Sequence, residues 1–272
     1  MTSHLLLVAG MGVLSFALRS FQFPLLHRMG TAGIFLTSFL AGWLLGGALW
    51  IGVVFAAFWL LLPWLEILTH VRRLRLPIER ALQSRTPPPR NTFPGFTEFS
   101  DEAEQLGFEY AEDAGWTYND HAHFFRLFYH AEKRIQAAIC LVEQGDLAFY
   151  YLSLTTRGVD ERVFVTWNYP FSYGLQLPPK IRLNRLQGEV SFEQLLERHE
   201  SFLTAQKLPL EMIAEQPAGS FRRKIQGDLH DQIIHNLNRG LLVRDGEKLI
   251  RYTLRGMFFL WLQFLRDLVR FS

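Results

Sequence analysis

The longest apolar run of the chain lies near its N-terminus, where residues 29–65 carry no charged side chain. As one helix this run would extend roughly 55 Å, well beyond the ~30 Å hydrocarbon core of a bilayer. We therefore predict two helices, about Thr31–Leu45 and Leu49–Leu68, with a chain reversal at Gly46-Gly47. They would form a transmembrane hairpin within residues 29–69, although each half is short for a full crossing.

A second apolar segment, Leu5–Leu18, precedes the hairpin. It is short for a spanning helix, and no Lys or Arg comes before it, which is not typical of a cleavable signal peptide. We expect residues 1–28 to contact the membrane, either as a third crossing or as a helix in the interface.

The segment after the hairpin is strongly basic. Residues 70–90 contain six arginines and only one acidic residue, Glu79. Arginine that directly follows a crossing is retained on the cytoplasmic side. This predicts an integral protein of the plasma (inner) membrane with a cytoplasmic soluble domain. Three consecutive prolines at 87–89 indicate that residues 70–96 form a juxtamembrane linker.

The remaining pattern predicts a cytoplasmic α+β domain over residues 97–256. An acidic helix, Glu98–Leu106 with Ser100 as its N-cap, comes first. Alternating β-branched and aromatic residues then predict an antiparallel meander of about four strands, which are Phe124–Tyr129, Ile135–Val142, Leu147–Thr155 and Arg162–Trp167. Two helices follow, the first opened by a Ser191/Gln194 capping box, and then a two-residue hairpin turn at Asp245-Gly246.

The chain closes with a predicted amphipathic helix at residues 257–272. Its polar residues, Gln263, Arg266, Asp267 and Arg270, fall on one stripe, and the rest of its surface is aromatic and aliphatic. Such a helix, flanked by Arg251 and Arg255, can lie in the membrane surface or contact a partner, and packing on the domain core is the alternative. The residues that we predict to contact the membrane surface are Arg72, Arg73, Arg75, Arg80, Phe258, Phe259, Trp261, Phe264, Arg266 and Arg270.

Overall composition changes this picture little. The formal net charge of +2 is too small to indicate nucleic-acid binding. The single cysteine, Cys140, excludes an internal disulfide and a multi-cysteine metal site.

Two polar clusters are candidates for chemistry. Asp120, His121 and His123 lie in an HxH segment whose two histidines would share a strand face, as two ligands of a zinc ion do, but no third ligand is evident at a suitable spacing. His230, Asp231 and His235 on a helix are more typical of a solvated structural pair. The usual nucleotide, hydrolase, zinc-protease and haem signatures are absent. We therefore expect no metal site and no cofactor.

The segment Ile225–Gly256, a helix followed by GLLVRDGEKLIRYTLRG, resembles the helix-and-wing end of winged-helix domains. That resemblance would imply DNA binding. The helix has only Arg222, Arg223 and Lys224 as a basic group, so we do not expect it to read DNA.

The function we expect is that of a non-catalytic, membrane-anchored accessory or scaffolding subunit. Its partners would be the lipid bilayer and a membrane protein or a second copy of the chain, with no nucleic acid. One alternative is an enzyme acting on a membrane-associated or lipid-like substrate, with Asp120, His121 and His123 as its centre. A second alternative is a sensor whose sheet encloses a small apolar ligand.

Overall fold

The protein is described by a computed structural model that covers residues 2–21, 24–89, 93, 95–119, 121–145, 147–171, 174–217 and 219–270. The chain forms two compact units. Residues 1–76, 171–174 and 237–272 make up the first, called here the helical unit. Residues 77–170 and 175–236 make up the second, the sheet unit.

The described part of the chain is mixed α+β. Its α-helices are α1 (Thr2–Arg19), α2 (Pro24–Gly46), α3 (Leu49–Thr69), α4 (Phe96–Gln105), α5 (Phe192–Ala205), α6 (Phe221–Asn238) and α7 (Leu254–Arg270). Its strands are β1 (Leu76–Pro77), β2 (Gln83–Ser84), β3 (Glu109–Tyr118), β4 (His121–His130), β5 (Ile135–Gln144), β6 (Leu147–Arg157), β7 (Val163–Trp167), β8 (Ile181–Arg185), β9 (Leu242–Asp245) and β10 (Leu249–Tyr252). Short 3-10 turns occupy Val71–Arg73 and Leu210–Met212.

The chain reversal between α2 and α3 falls at Gly46-Gly47, as predicted, with Gly47 at φ +68°. That left-handed conformation suits glycine, which has no Cβ to clash with its own backbone. The two helices have 23 and 21 residues, more than the predicted halves. Each is therefore about 30 Å long or slightly more, and the expectation that they are too short to cross was wrong. Both are long and apolar enough to cross a membrane.

Small residues let α2 and α3 approach closely. A Cβ added to Gly42 would stand 2.8 Å from the Phe55 side chain, and one added to Gly52 would stand 2.6 Å from the carbonyl oxygen of Phe39. A hydrogen bond of 2.8 Å from Trp59 Nε1 to Ser38 Oγ joins the same two helices. Gly42 and Gly52 therefore permit the close approach of the two helix backbones.

Helix α1 packs antiparallel against α2. A Cβ on Gly30 would lie 2.6 Å from Cγ of Arg19, and one on Gly12 would lie 3.6 Å from Thr37. The end of α1 therefore lies beside the start of α2, and the middle of α1 lies beside the middle of α2. The first three helices form an up-down-up arrangement.

The sheet unit is built on a seven-stranded sheet in the order β2-β3-β4-β5-β6-β7-β8. All neighbours are antiparallel except β7 and β8, which are parallel. The predicted four-stranded meander is confirmed as β4–β7. Strands β2, β3 and β8 were not predicted, and the first of these lies inside the predicted linker. Acidic residues and a bulge after Tyr110 hide the alternation in β3.

Each face of the large sheet has its own apolar core. Ile135, Ala137, Ile139 and Leu141 of β5 share one face, as predicted, and pack with α4 and α5. The intervening residues Ala138 and Cys140 pack with Trp116, Phe125 and Phe221 on the other face. Side chains of the central strand β5 thus alternate between the two faces of the sheet, and the strand contributes to both cores.

Of the two predicted helix starts, that of α5 is confirmed and that of α4 was wrong. The Ser191/Gln194 capping box is present at the start of α5. Helix α4 instead begins after Gly95, so Ser100 is not its N-cap. Ser100 lies buried inside the helix, where its hydroxyl donates to the Phe96 carbonyl at 2.9 Å.

The β9–β10 turn contains three residues rather than two, because Asp245 pairs directly with Leu249.

Candidate membrane-proximal site

The closing helix α7 packs against α3 within the helical unit. The indole Nε1 of Trp261 donates to the carbonyl oxygen of Leu60 at 2.8 Å. The ring of Trp64 lies 5.3 Å from that of Phe258, in an edge-on arrangement, and 6.1 Å from that of Trp261. Two segments nearly 200 residues apart in sequence are therefore held together by aromatic contacts and one hydrogen bond.

The exposed side of α7 is largely apolar. Leu254, Phe258 and Leu262, spaced four residues apart, are 75%, 54% and 49% exposed. Gln263 is buried at 8% exposure, although the sequence pattern placed it on the polar stripe. The helix therefore turns part of its apolar surface outward, which a helix surrounded by water would not favour.

The other residues predicted for this surface divide into three groups. Arg72, Arg73 and Arg266 are exposed. Phe259, Trp261 and Phe264 are half-buried. Arg75 is half-buried and forms an ion pair with Asp245, the last residue of β9. The side chain of Arg270 lies outside the described residues.

Arg80 does not join this group. It belongs to the sheet unit, and its guanidinium carbon lies 5.1 Å from the ring centre of Trp116. The geometry is that of a cation–π contact, which holds the side chain over the sheet.

The helical unit has further exposed basic residues near this surface. They come from the small three-stranded sheet, in the order β1-β10-β9, and from the start of α7. Arg251 and Arg255 were predicted to flank the closing helix, whereas sequence reasoning missed Arg244 and Lys248. The alternation in LIRYT places Ile250 and Tyr252 inside and Arg251 outside.

The two units differ sharply in charge. The helical unit contains twelve Lys or Arg against four Asp or Glu, a net charge of +8. The sheet unit contains sixteen against twenty-two, a net charge of −6. The near-neutral total of +2 conceals this separation.

The HxH segment lies at the start of β4, and Asp120 lies outside the described residues. His123 stacks on Trp116, with ring centres 4.5 Å apart and planes inclined by 11°. Burial, together with the nearby charges of Arg80 and His121, lowers the pKa of His123 to about 4. Within the described residues no group of three His, Cys, Asp or Glu is arranged to hold a metal ion. His123 is part of an aromatic stack in the sheet.

Another histidine is among the fully buried polar residues of the sheet unit. His199 of α5 is fully buried, and its two ring nitrogens lie 2.9 Å from Thr156 Oγ1 and 2.8 Å from Thr166 Oγ1. Burial lowers its pKa to about 3, so the ring is neutral in the folded protein. The arrangement ties α5 to β6 and β7.

Cys140 is buried on β5, as expected for a small apolar residue, and burial raises the pKa of its thiol to about 12. A thiol with such a pKa is a poor nucleophile at neutral pH.

Helix α6 is held by polar contacts within the sheet unit. Asp228 pairs with Arg157, and Asp231 pairs with Lys180. The Asn236 amide accepts from the backbone nitrogen of Gln176 at 2.9 Å and donates to its carbonyl oxygen at 2.8 Å. Residues up to Asn236 belong to the sheet unit, whereas the β9–β10 hairpin belongs to the helical unit. The helix and wing that resemble a winged-helix end therefore lie in different compact units.

An open cleft of about 670 Å³ lies between β8 and α5. Apolar residues such as Leu186 and Phe202 line it together with polar and charged ones such as Asn184, Glu197 and Arg198. Its mixed lining differs from the enclosed apolar cavity that the ligand-sensor alternative expects.

No known protein family, no curated protein and no solved structure matches this chain, so its function has to be inferred from its own residues and their geometry.

Proposed function

We propose that the protein is a non-catalytic accessory or scaffolding subunit, anchored in the plasma membrane, whose cytoplasmic sheet unit docks partner proteins. The observation that carries this proposal is the contact between α7 and α3. It joins the last helix of the chain to one of the two helices long and apolar enough to cross a membrane.

The exposure of α2 and α3 supports anchoring. Within the most apolar stretch of each helix, only 17% is buried inside the protein in α2 and 11% in α3. The core helix of a water-soluble protein would be mostly buried, because exposed apolar surface costs about 25 cal/mol per Å². Lipid is the surroundings in which these helices carry no such cost.

The distribution of arginine supports the orientation. In the up-down-up arrangement, Arg19, Arg28 and the Arg72–Arg75 group fall at one end of the three helices. The opposite end, formed by residues 2–10 and the Gly46–Leu49 turn, carries no Lys or Arg. By the positive-inside rule the arginine-rich end faces the cytoplasm. α1, packed along α2, then serves as a third, thin crossing rather than as a helix in the interface.

The ridge on α7 supports a location at the membrane surface. Leu254, Phe258 and Leu262 face outward beside the cytoplasmic end of α3, flanked by the exposed Arg255 and Arg266. Apolar residues with arginines alongside are the pattern of a helix lying in the headgroup region.

The sheet unit supports the docking role. It has a net charge of −6, and β8 forms an edge of the large sheet beside an open cleft. An edge strand can pair with an extended segment of another chain, and a charged surface can steer that chain toward it.

Cysteine labelling in intact cells tests the topology. On a Cys140→Ser background, Ala48→Cys marks the α2–α3 turn and Glu211→Cys marks the exposed surface of the sheet unit. We expect a membrane-impermeant maleimide to label the first variant in intact cells and the second only after permeabilisation. The reverse pattern would refute the orientation, and recovery of the full chain without detergent would refute anchoring.

Extraction in mild detergent tests the subunit role. We expect the full-length protein to elute as a particle larger than its monomer in detergent, together with a second protein or a second copy. A strictly monomeric particle with nothing co-purifying would contradict a scaffolding role while leaving the membrane topology intact.

A further inference from the structure

We infer that the helical unit binds anionic phospholipid headgroups through a basic surface formed by the β9–β10 hairpin and the start of α7. This inference rests on the proposed membrane anchoring and specifies the lipid that the anchored protein prefers.

The first support is the amount and exposure of positive charge. The net charge of +8 sits on the unit that contains the apolar helices. Its exposed basic side chains are Arg72, Arg73, Arg239, Arg244, Lys248, Arg251, Arg255 and Arg266. A polybasic surface next to an inserted helix is attracted to an anionic leaflet, whereas a zwitterionic leaflet offers it little.

The second support is the arrangement of the hairpin. Ile250 and Leu242 face the interior at 0% and 2% exposure. Arg251 pairs in register with Val243, so these two exposed residues lie next to each other on the outer face. This face therefore offers a guanidinium beside an apolar side chain.

The start of α7 continues this pairing of charge and apolar surface. Leu254 is 75% exposed and is followed directly by the exposed Arg255. Alternation of guanidinium and aliphatic groups suits the boundary between headgroups and acyl chains. An acidic protein or a nucleic acid would match the arginines and leave the leucine and valine in contact with water.

The third support is that two acidic residues of the helical unit already have partners, while the exposed Glu247 of the β9–β10 turn is outnumbered by the exposed basic side chains. Asp245 is paired with Arg75, and Glu66 lies 3.0 Å from His70. Like-charge repulsion between these carboxylates and a lipid phosphate is thereby weakened, so the surface keeps its positive potential.

Lipid retention by the purified full-length protein tests this inference. The protein in a non-ionic detergent is incubated with equal amounts of phosphatidylglycerol and phosphatidylcholine and passed over a sizing column. Retained lipid is then quantified by mass spectrometry. We expect phosphatidylglycerol to be retained in severalfold excess, and the excess to disappear in 0.5 M salt, because headgroup attraction is screened there.

Charge variants locate the surface. Arg251→Gln with Arg255→Gln should weaken apparent phosphatidylglycerol affinity about 25-fold, the product of roughly fivefold for each basic residue near the surface, and so abolish the severalfold excess. Arg251→Glu with Arg255→Glu should weaken it further. The matched control, Arg182→Glu with Arg223→Glu, changes two exposed arginines of the sheet unit and should retain wild-type affinity.

Each outcome has one meaning. Equal retention of the two lipids, or equal loss in the control variant, would refute the inference. Preferential binding of an acidic protein or a nucleic acid, abolished by the same Arg251 and Arg255 changes, would also refute it. Membrane residence is measured separately on the same preparation, so a protein that stays in the membrane without lipid preference contradicts only this inference.

Discussion

The helical unit and the sheet unit use the same residue types in opposite ways. Phe128 in the sheet unit is fully buried, whereas Phe258 on α7 is 54% exposed. The sheet unit carries −6 and the helical unit +8. The sheet unit follows the rules of a protein in water, with apolar cores on both sheet faces. In the helical unit, glycines let the helix backbones approach closely, and apolar side chains face outward, as expected where lipid replaces water.

The largest expected effect separates buried from outward-facing phenylalanine. Phe128→Ala should lower the free energy of unfolding of the sheet unit by about 3–5 kcal/mol, through lost burial and the cavity left behind. Phe258→Ala should lower it by less than about 1 kcal/mol, because that ring is not part of the sheet unit's core. Urea titration of the full chain in detergent measures both, with the labelling rate of the buried Cys140 reporting exposure. Equal losses would show that the two rings are not used differently.

A pH titration probes the interior of the sheet unit. Burial lowers the pKa of His199 to about 3, whereas an unfolded histidine has a pKa of about 6.5. Below pH 6.5 the unfolded chain therefore binds a proton that the folded protein does not, and stability falls as the pH falls toward 3. Between pH 6.5 and 4.5 this histidine alone should cost about 2–3 kcal/mol.

The His199→Gln variant checks this dependence. Its unfolding free energy, measured by the same thiol labelling, should change less between pH 6.5 and 4.5 than that of the wild type. The variant loses absolute stability with the two threonine contacts, so the slope against pH is the quantity to compare. A slope equal to that of the wild type would show that His199 does not determine the acid sensitivity.

The packing of the helical unit is probed at Gly52. A Cβ there would stand 2.6 Å from the Phe39 carbonyl oxygen, so Gly52→Val should force α2 and α3 apart and cost about 1–3 kcal/mol. Thermal unfolding in detergent, followed by fluorescence, detects this because five of the seven tryptophans lie in the helical unit. Gly10→Ala is the control, since nothing lies within 4 Å of a Cβ at that position of α1. A melting temperature unchanged by Gly52→Val would mean that the two helices do not need this close approach.

The smallest effect concerns surface charge on the sheet unit. Lys133 Nζ lies 2.6 Å from Glu200 Oε1, and the two side chains are 40% and 45% exposed. Lys133→Met should cost only about 0.2–1 kcal/mol, because an exposed ion pair is solvated and screened. In 0.5 M salt the difference from wild type should vanish. A loss as large as that of Phe128→Ala would show that surface charge, rather than burial, stabilises this unit.

Sequence patterns predicted the elements whose signal is local. The Gly46-Gly47 reversal, the capping box at Ser191 and the alternation along β5 were each readable from a few neighbouring residues. Strand β8 was missed because its alternation of Ile181 and Leu183 with polar residues covers only four positions and ends at Arg185. It is a strand because it pairs with β7, and pairing is a property of the partner as much as of the segment.

The candidate site was predicted only in part, because some of its features depend on tertiary contacts rather than on local sequence signals. The aromatic and basic residues of α7 were identified from their spacing, but Gln263 was placed outside and is buried. Arg80 was grouped with the neighbouring arginines, and it stacks on Trp116 instead. Arg251 and Arg255 were predicted to flank this helix, but the exposed Arg244 and Lys248 were not grouped with the surface, because nothing local relates them to Arg72 and Arg73.

By itself, the sequence determined that this protein has two consecutive apolar helices, a mixed α+β remainder and an amphipathic end. Composition and periodicity act over a few residues, and they suffice for such features. Only the tertiary structure decided that α7 packs on α3 and that a +8 unit stands apart in charge from a −6 unit. The contact between α7 and α3 and the division into units join residues that are far apart in the chain, so both depend on the folding of the whole polypeptide.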